Sequence, residues 1–275
     1  MPYPKKHHYV PQFYLKSFTN NNKEQLYVLD KENKKIFIQN IKEICEQNYF
    51  YAFSEDDEYN FMLEEHLGKK ENKFSCVINK VIDDIEGYYF IKNKSIEKLT
   101  HDDKKTIIEF IIYQIIRVPK YINKLFAMVI PQFKQFNTDD GVEQTNKQII
   151  NDVKKYTFPN YFNRINEIVS ILLRKNWTFF VISNDINNKF ISSDNPVLIS
   201  NSNLQSPIRG ALIDPMTEIS IPLSKNIALA LKQETIKYRL NYILINSEDN
   251  VKYINKLLIK NGMRFVYSDN KSLLE

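Results

Sequence analysis

Glycine is scarce in this chain, at 5 of 275 residues. Neither GxGxxG nor GxxxxGK followed by Ser or Thr occurs, so the two commonest nucleotide-phosphate loops are absent. Cysteine is scarcer still: Cys45 and Cys76 have no metal-ligand spacing, and they read as reduced thiols of a cytoplasmic protein. The N-terminal MPYPKKHHYV has no apolar core of a secretory signal. The longest apolar patches, around Ile107–Ile116 and Leu125–Ile130, are too short and interrupted to span a bilayer. A soluble, intracellular protein without a membrane partner is therefore expected. No GxSxG is present and neither cysteine sits in a motif, which argues against serine or cysteine hydrolase chemistry.

What the chain does have is a large apolar and aromatic content: hydrophobic residues make up 43%, with 17 Tyr and 18 Phe. At this length that suffices to bury a substantial core. Lys and Arg number 38 against 33 Asp and Glu, a formal charge of +5. Lysine supplies nearly all of the positive charge and in part reflects an AT-rich coding bias, so the excess argues only weakly for a nucleic-acid partner. The few arginines, such as Arg117, Arg209 and Arg264, say more where a bidentate grip on phosphate or carboxylate is needed.

The periodicity changes twice along the chain. Extended HHYV leads through Pro11 into a short helix over Gln12–Phe18, and a turn at NNNK follows. QLYVLD and KKIFIQN, separated by KEN, read as a hairpin. A short helix near Ile41–Glu46 and an extended NYFYAF come next. Leu63, Leu67, Phe74, Ile78, Val81 and Ile85 then form one stripe of a long helix ending near Gly87. Thr100 with Asp103 gives a capping-box start for a helix through Arg117. Val118-Pro119 breaks it, a third helix runs from Pro119 to about Phe136, NTDDG forms a loop, and helices cover roughly 142–156 and 161–175. After Trp177 the segments WTFFVIS, KFISS, PVLIS, EISIPLS and NIALALK are short and β-rich, and a helix near Asp249–Lys260 and the strand MRFVYS close the chain. Without βαβα alternation the class is α+β. The expected arrangement is one compact unit over 1–275: an N-terminal hairpin region (1–58), a central helical bundle (59–175) and a C-terminal β-rich part with a helix (176–275).

Four stretches carry candidate chemistry. His7 and His8 lie just before a helix start, with Lys5 and Lys6 adding positive potential and Gln12 offering an amide to the same ligand. The plain alternative is one capping histidine and one solvated one. Glu64 and Glu71, seven apart, share a face beside Leu67 and Phe74 and would hold Mg²⁺ or Mn²⁺ or act as an acid–base pair, or simply line a solvated surface; His66 points to another face. Gln114 interrupts an apolar stripe and Arg117 lies one turn on; they face either a ligand's anion or the helix's own last carbonyls. Finally Ser193-Asp194-Asn195-Pro196 is a turn that either caps itself or presents a carboxylate at a strand end.

Taken together, HHYVPQFYLKSF, YQIIRVP, FISSDNPV, IPLS and NKLLIKNGMRFVYS resemble a widespread prokaryotic family of unknown function whose members open with an HHYVPQxYLxxF-type motif. His7, His8, Pro11, Gln12, Leu15 and Phe18 match that opening; Gln114, Arg117 and Pro119 match the helical motif; Ser193, Asp194, Asn195 and Pro196 match the turn. The resemblance spans essentially the whole chain and implies a shared polar site without naming a reaction.

The function expected is a phosphodiester-cleaving, nuclease-like enzyme acting on DNA or RNA, in phage defence or as a toxin. His7 or His8 would be general base or metal ligand, with Asp194 orienting it or binding metal. Arg117 would stabilise charge, while Lys6, Gln12, Gln114 and Asn195 would bind substrate. An ordinary HNH nuclease is excluded, because the next histidine after His8 is His66 and no zinc-binding cysteine pairs exist. The alternative is a non-catalytic sensor or adaptor that uses the same pocket for an anionic small molecule, nucleotide or partner protein. A third option is a purely structural polar network.

Overall fold

The computed structural model describes residues 5–20, 24–55, 58–91, 96–138, 146–157, 165–200, 212–233 and 240–275. Outside them lie most of the NNNK turn, part of the NTDDG loop, the beginnings of the helices expected at 142 and 161, and Arg209.

The architecture is α+β. Strand β1 (Lys6–His8) pairs antiparallel with β4 (Glu46–Asn48), and helix α1 (Gln12–Lys16) follows it. The hairpin of β2 (Gln25–Asp30) and β3 (Lys35–Asn40) forms as the sequence indicates. Its turn is set by Asp30, whose carboxylate accepts N–H bonds from Glu32 and Asn33, while Lys34 takes a left-handed conformation. The helix expected near Ile41–Glu46 shrinks to a 3-10 turn at Ile41–Glu43, because β4 takes over the following residues. A small pair, β5 (Phe53–Glu55) with β6 (Glu58–Asn60), precedes the helical part.

Helix α2 (Met62–Glu86) buries the stripe read from the sequence, and its last turn relaxes into a π-helical turn over Gly87–Ile91. Helix α3 (His101–Ile116) starts at the Thr100–Asp103 capping box, with both reciprocal bonds at 3.0 Å. From Thr106 onward every α3 residue is buried, so this helix lies inside the protein rather than along its surface. Pro119 opens α4 (Pro119–Thr138), and α5 (Asn146–Asp152), a π-helical turn at Val153–Thr157 and α6 (Ile165–Leu172) follow.

The C-terminal strands build two sheets. β7 (Asn176–Ile182), β9 (Leu198–Ser200), β10 (Glu218–Pro222), β11 (Ile227–Lys232) and β12 (Leu240–Ile245) form one in the order β12-β7-β11-β10-β9. All its neighbours are antiparallel except β12 and β7. The two-residue β8 (Ser192–Ser193) and β13 (Phe265–Ser268) instead extend the N-terminal hairpin into a sheet of order β3-β2-β13-β8. The chain's ends are thereby joined, and Arg264 clamps Asp30 with Nη2 at 2.7 Å. Period-two alternation sends Trp177, Phe179, Val181, Leu229 and Leu231 into the main core with α3 and α6. The opposite face is covered at one end by α7 (Glu248–Asn261), through Val251 and Ile254 against Ile182, Ala228 and Ile245. No helix among the described residues is long and apolar enough to cross a membrane.

Candidate functional site

Because β1 is a strand, its adjacent histidines face opposite ways. His7 is fully buried and His8 half-buried, so they do not act as a pair on one surface. The anion site expected at a helix start is not built either: α1 has five residues, too few to sum a useful dipole. Lys6 is turned outward and paired with Glu46 on β4.

His7 is fixed by the segment that follows β4. Tyr49 adopts a left-handed conformation (φ 52°) and reverses the chain. The backbone N–H of Tyr51 then donates to Nδ1 of His7 at 3.1 Å, and the Tyr51 ring stacks on the imidazole. Lys154, in the π-helical turn, donates to the carbonyls of Tyr49 (3.2 Å) and Ala52 (3.1 Å), holding that segment from the other side. Burial pushes the Lys154 amine down to about 8. Sequence reasoning missed both Tyr51 and Lys154; the aromatic run NYFYAF was read only as extended backbone.

Arg117, the residue that ends α3, is the hub. Its Nη1 donates to Oε1 of Glu71 at 2.7 Å, its Nη2 to the backbone carbonyl of His8, and its Nε to the Tyr51 hydroxyl at 3.3 Å. The same hydroxyl donates to the Arg117 carbonyl at 3.0 Å. One guanidinium thus ties α2, α3, β1 and the Tyr51 segment together. It does so where α3 must stop before Pro119 and its carbonyls need donors. Burial opposes the charge, yet Tyr51 and Glu71 outweigh it and hold the guanidinium pKa above its ordinary value.

Glu64 lies two helical turns before Glu71 on α2, so both carboxyls reach the same region. Oε2 of Glu64 is 3.7 Å from Nδ1 of His7 and has no hydrogen-bond partner among the described residues. Nδ1 already accepts the Tyr51 N–H, so it carries no proton and offers Glu64 a lone pair rather than a positive charge. A carboxylate facing that lone pair is disfavoured; a protonated carboxyl is not. Burial, opposed by Arg117 and reinforced by Glu71, pushes the Glu64 carboxyl up to about 7. Burial moves His8 the other way, below its ordinary value and against the pull of Glu46, which leaves its imidazole neutral at neutral pH. Gln12 Nε2 approaches both ring nitrogens of His8 at 3.4 Å.

Gln114, one turn before Arg117 on α3, is fully buried with neither amide atom hydrogen-bonded among the described residues. A polar group in that state costs about 1–3 kcal/mol. The structure therefore gathers His7, Glu64, Glu71 and Arg117, while the His8 ring, on the other face of β1 with Gln12 beside it, lies close enough to feel Glu71 and Arg117; Gln114 lies one turn before Arg117 on α3.

Asp194 and Asn195 belong elsewhere. Both Asp194 oxygens accept backbone N–H groups, from Met263 (2.7 Å), Arg264 (2.8 Å) and Phe265 (2.9 Å). Asn195 and Asn261 exchange amide-to-carbonyl bonds at 3.1 and 2.8 Å. The Ser-Asp-Asn-Pro turn thus anchors the entry to β13, and its carboxylate is committed to that backbone rather than to the histidines. The same holds for a metal: Glu71 is neutralised by Arg117, and no group of three or more His, Cys, Asp or Glu among the described residues is arranged to hold one. His66, expected on another face of α2, meets the Tyr113 hydroxyl at 2.7 Å.

No curated protein and no solved structure matches the chain. One family does, over residues 6–272, a span that runs from β1 through β13 and includes every residue of this site and of the Asp194 turn. The chain belongs to the family described as Protein of unknown function (DUF4238).

Proposed function

We propose that the chain is a nuclease-like enzyme that cleaves a phosphodiester by general acid–base catalysis. The observation that carries this reading is the Glu64 carboxyl, pushed up to about 7 beside an imidazole nitrogen that holds no proton. A carboxylic acid half-protonated at neutral pH is a proton donor matched to its task. Neutral, half-buried His8 is a matching acceptor.

In this reading His8 takes the proton from the attacking hydroxyl or water. Glu64 gives its proton to the oxygen that leaves phosphorus, and proton exchange with solvent restores both groups for the next turnover. Gln12 and Gln114 supply amide hydrogen bonds to the phosphate or its attached oxygens. Arg117 acts mainly by position, since Glu71 already balances its charge. Exposed Lys5, just before β1, favours an anionic substrate over a neutral one, while the charge of Lys6 is balanced by Glu46. The free thiols, Cys45 buried and Cys76 exposed, suit a reducing cytoplasm, where such cleavage would serve phage defence or toxicity.

The test is a cleavage assay on single- and double-stranded DNA and RNA in Mg²⁺, Mn²⁺ or EDTA. Wild type should cleave at least one of these, and Glu64→Gln and His8→Ala should each lose 100-fold or more. No cleavage of any substrate by wild type, or equal cleavage by all three proteins, would sink the reading.

A further inference from the structure

Among the described residues, α7 covers only one end of the outer face of the five-stranded sheet. Where α7 leaves it, a cleft of about 1180 Å³ opens between the strands and that helix. Its floor is open where the side chains are small, at Ser220, Ala228 and Ala230. Ala228 stands opposite Phe180 and Pro222, and Ala230 opposite Ser220. Larger residues there would fill the space, as Phe179 and Leu229 do on the core side.

The cleft has an aromatic on each wall. Phe180 projects from the sheet, and Tyr253, 64% exposed, from α7. Its charged lining consists of Lys120, Lys232 and Lys260 against Glu218, an excess of positive charge over an otherwise apolar floor. Two of those amines are already placed. Lys232 Nζ lies 5.4 Å from the Phe180 ring centroid. Lys120 Nζ is held at 3.1 and 3.2 Å by the carbonyl and side-chain oxygens of Asn261, where α7 ends. Lys232 at the Phe180 ring sets a cation beside an apolar aromatic surface, so the cleft presents positive charge at the edge of an apolar floor.

We infer that this cleft is a second binding site, separate from the His7–Glu64–Arg117 cluster, and that it takes a small molecule with a flat, apolar body and one anionic group. The body lies over Ser220, Ala228 and Ala230 between Phe180 and Tyr253, and the anion meets Lys232 or Lys120. The inference does not depend on the reaction proposed above.

The probe is 8-anilinonaphthalene-1-sulfonate, which has this chemistry, with uncharged N-phenyl-1-naphthylamine as its control, both followed by fluorescence titration of the full chain. One saturable sulfonate site per chain is expected. Ser220→Phe, which fills the floor, should weaken it at least tenfold. Lys232→Gln should weaken the sulfonate several-fold more than the neutral amine. Tyr253→Ala, at an exposed helix position that folding does not depend on, should also weaken both dyes. Unchanged dye affinity in Ser220→Phe and Tyr253→Ala would overturn the assignment, as would equal losses of both dyes in Lys232→Gln. A dimer in size-exclusion chromatography that Ser220→Phe converts to monomer would give the cleft to a second copy instead, and would overturn it too.

Discussion

Nδ1 of His7 and Oε2 of Glu64 face each other at 3.7 Å, and the nitrogen already accepts the N–H of Tyr51. Two acceptors this close and this buried coexist comfortably only if one of them carries a proton. The imidazole nitrogen cannot, so the arrangement favours the protonated carboxyl. Burial and the facing lone pair thus push the Glu64 carboxyl the same way, towards its protonated form.

That protonation leaves a trace in stability. The Glu64 pKa rises from an ordinary 4.5 to about 7 on folding. Below pH 4.5 the group is protonated in both states and its contribution is fully present. Between 4.5 and 7 unfolding releases a proton, so the contribution falls with rising pH and is gone above 7. A shift of this size corresponds to at most about 3 kcal/mol. Glu64→Gln, which mimics the protonated form, should match wild type near pH 4.5 and exceed it by about 1–3 kcal/mol at pH 8 in urea melts. A Glu64→Gln protein less stable than wild type at pH 8 would contradict the assignment.

Arg117 should prove structurally indispensable. Lysine cannot reproduce three bonds from one planar fork, to Glu71, His8 and Tyr51. Arg117→Lys is expected to cost about 3 kcal/mol or more, the scale of a broken buried pair. The loss should come with increased hydrogen exchange in both β1 and the Tyr51 segment, which the same guanidinium holds.

Gln114 separates packing from function. Its amide contributes no hydrogen bond among the described residues, so Gln114→Leu should leave thermal stability unchanged or raise it by about 1 kcal/mol. If the amide completes the substrate site, cleavage should nonetheless fall at least tenfold. A variant that is both less stable and fully active would place Gln114 outside the site.

Gly262 is required by a close approach rather than by its backbone angles. A Cβ there would stand 3.0 Å from Ser193 Cβ and 3.3 Å from Asp194 Oδ1. Gly262→Ala should therefore push the Asp194 turn away from β13 and destabilise the protein by about 1–3 kcal/mol. Asp194→Asn, which removes the charge that three N–H groups solvate, should also destabilise it by a comparable amount. For both, cleavage normalised to folded protein should be unchanged, since the Asp194 carboxylate is spent on the backbone N–H groups of residues 263–265.

Much of this was legible in the residues. The α2 stripe, the Thr100–Asp103 capping box and the Pro119 break are local signals, and each appears where the periodicity puts it. The β2–β3 hairpin is equally local. What one sequence cannot show is pairing at a distance. β8 and β13 add to the N-terminal hairpin across more than 150 residues, and β12 lies parallel to β7. Residue type identified His7, His8, Glu64, Glu71 and Arg117 as candidates, and the fold collects them. Residue type also suggested Asp194, whose role is decided by three N–H groups from residues 263–265 that no local pattern places beside it. Tyr51 and Lys154 were missed for the same reason: each matters through a partner more than 40 residues away.

The central claim, a neutral Glu64 acid beside an unprotonated His7 nitrogen, is tested most directly by a carboxyl-carbon NMR titration of the folded protein. With ¹³C-labelled glutamate, the Glu64 resonance is assigned by its loss in Glu64→Gln. A midpoint near pH 7 is predicted; a midpoint near 4.5, with Glu64 ionised throughout the neutral range, would contradict the account.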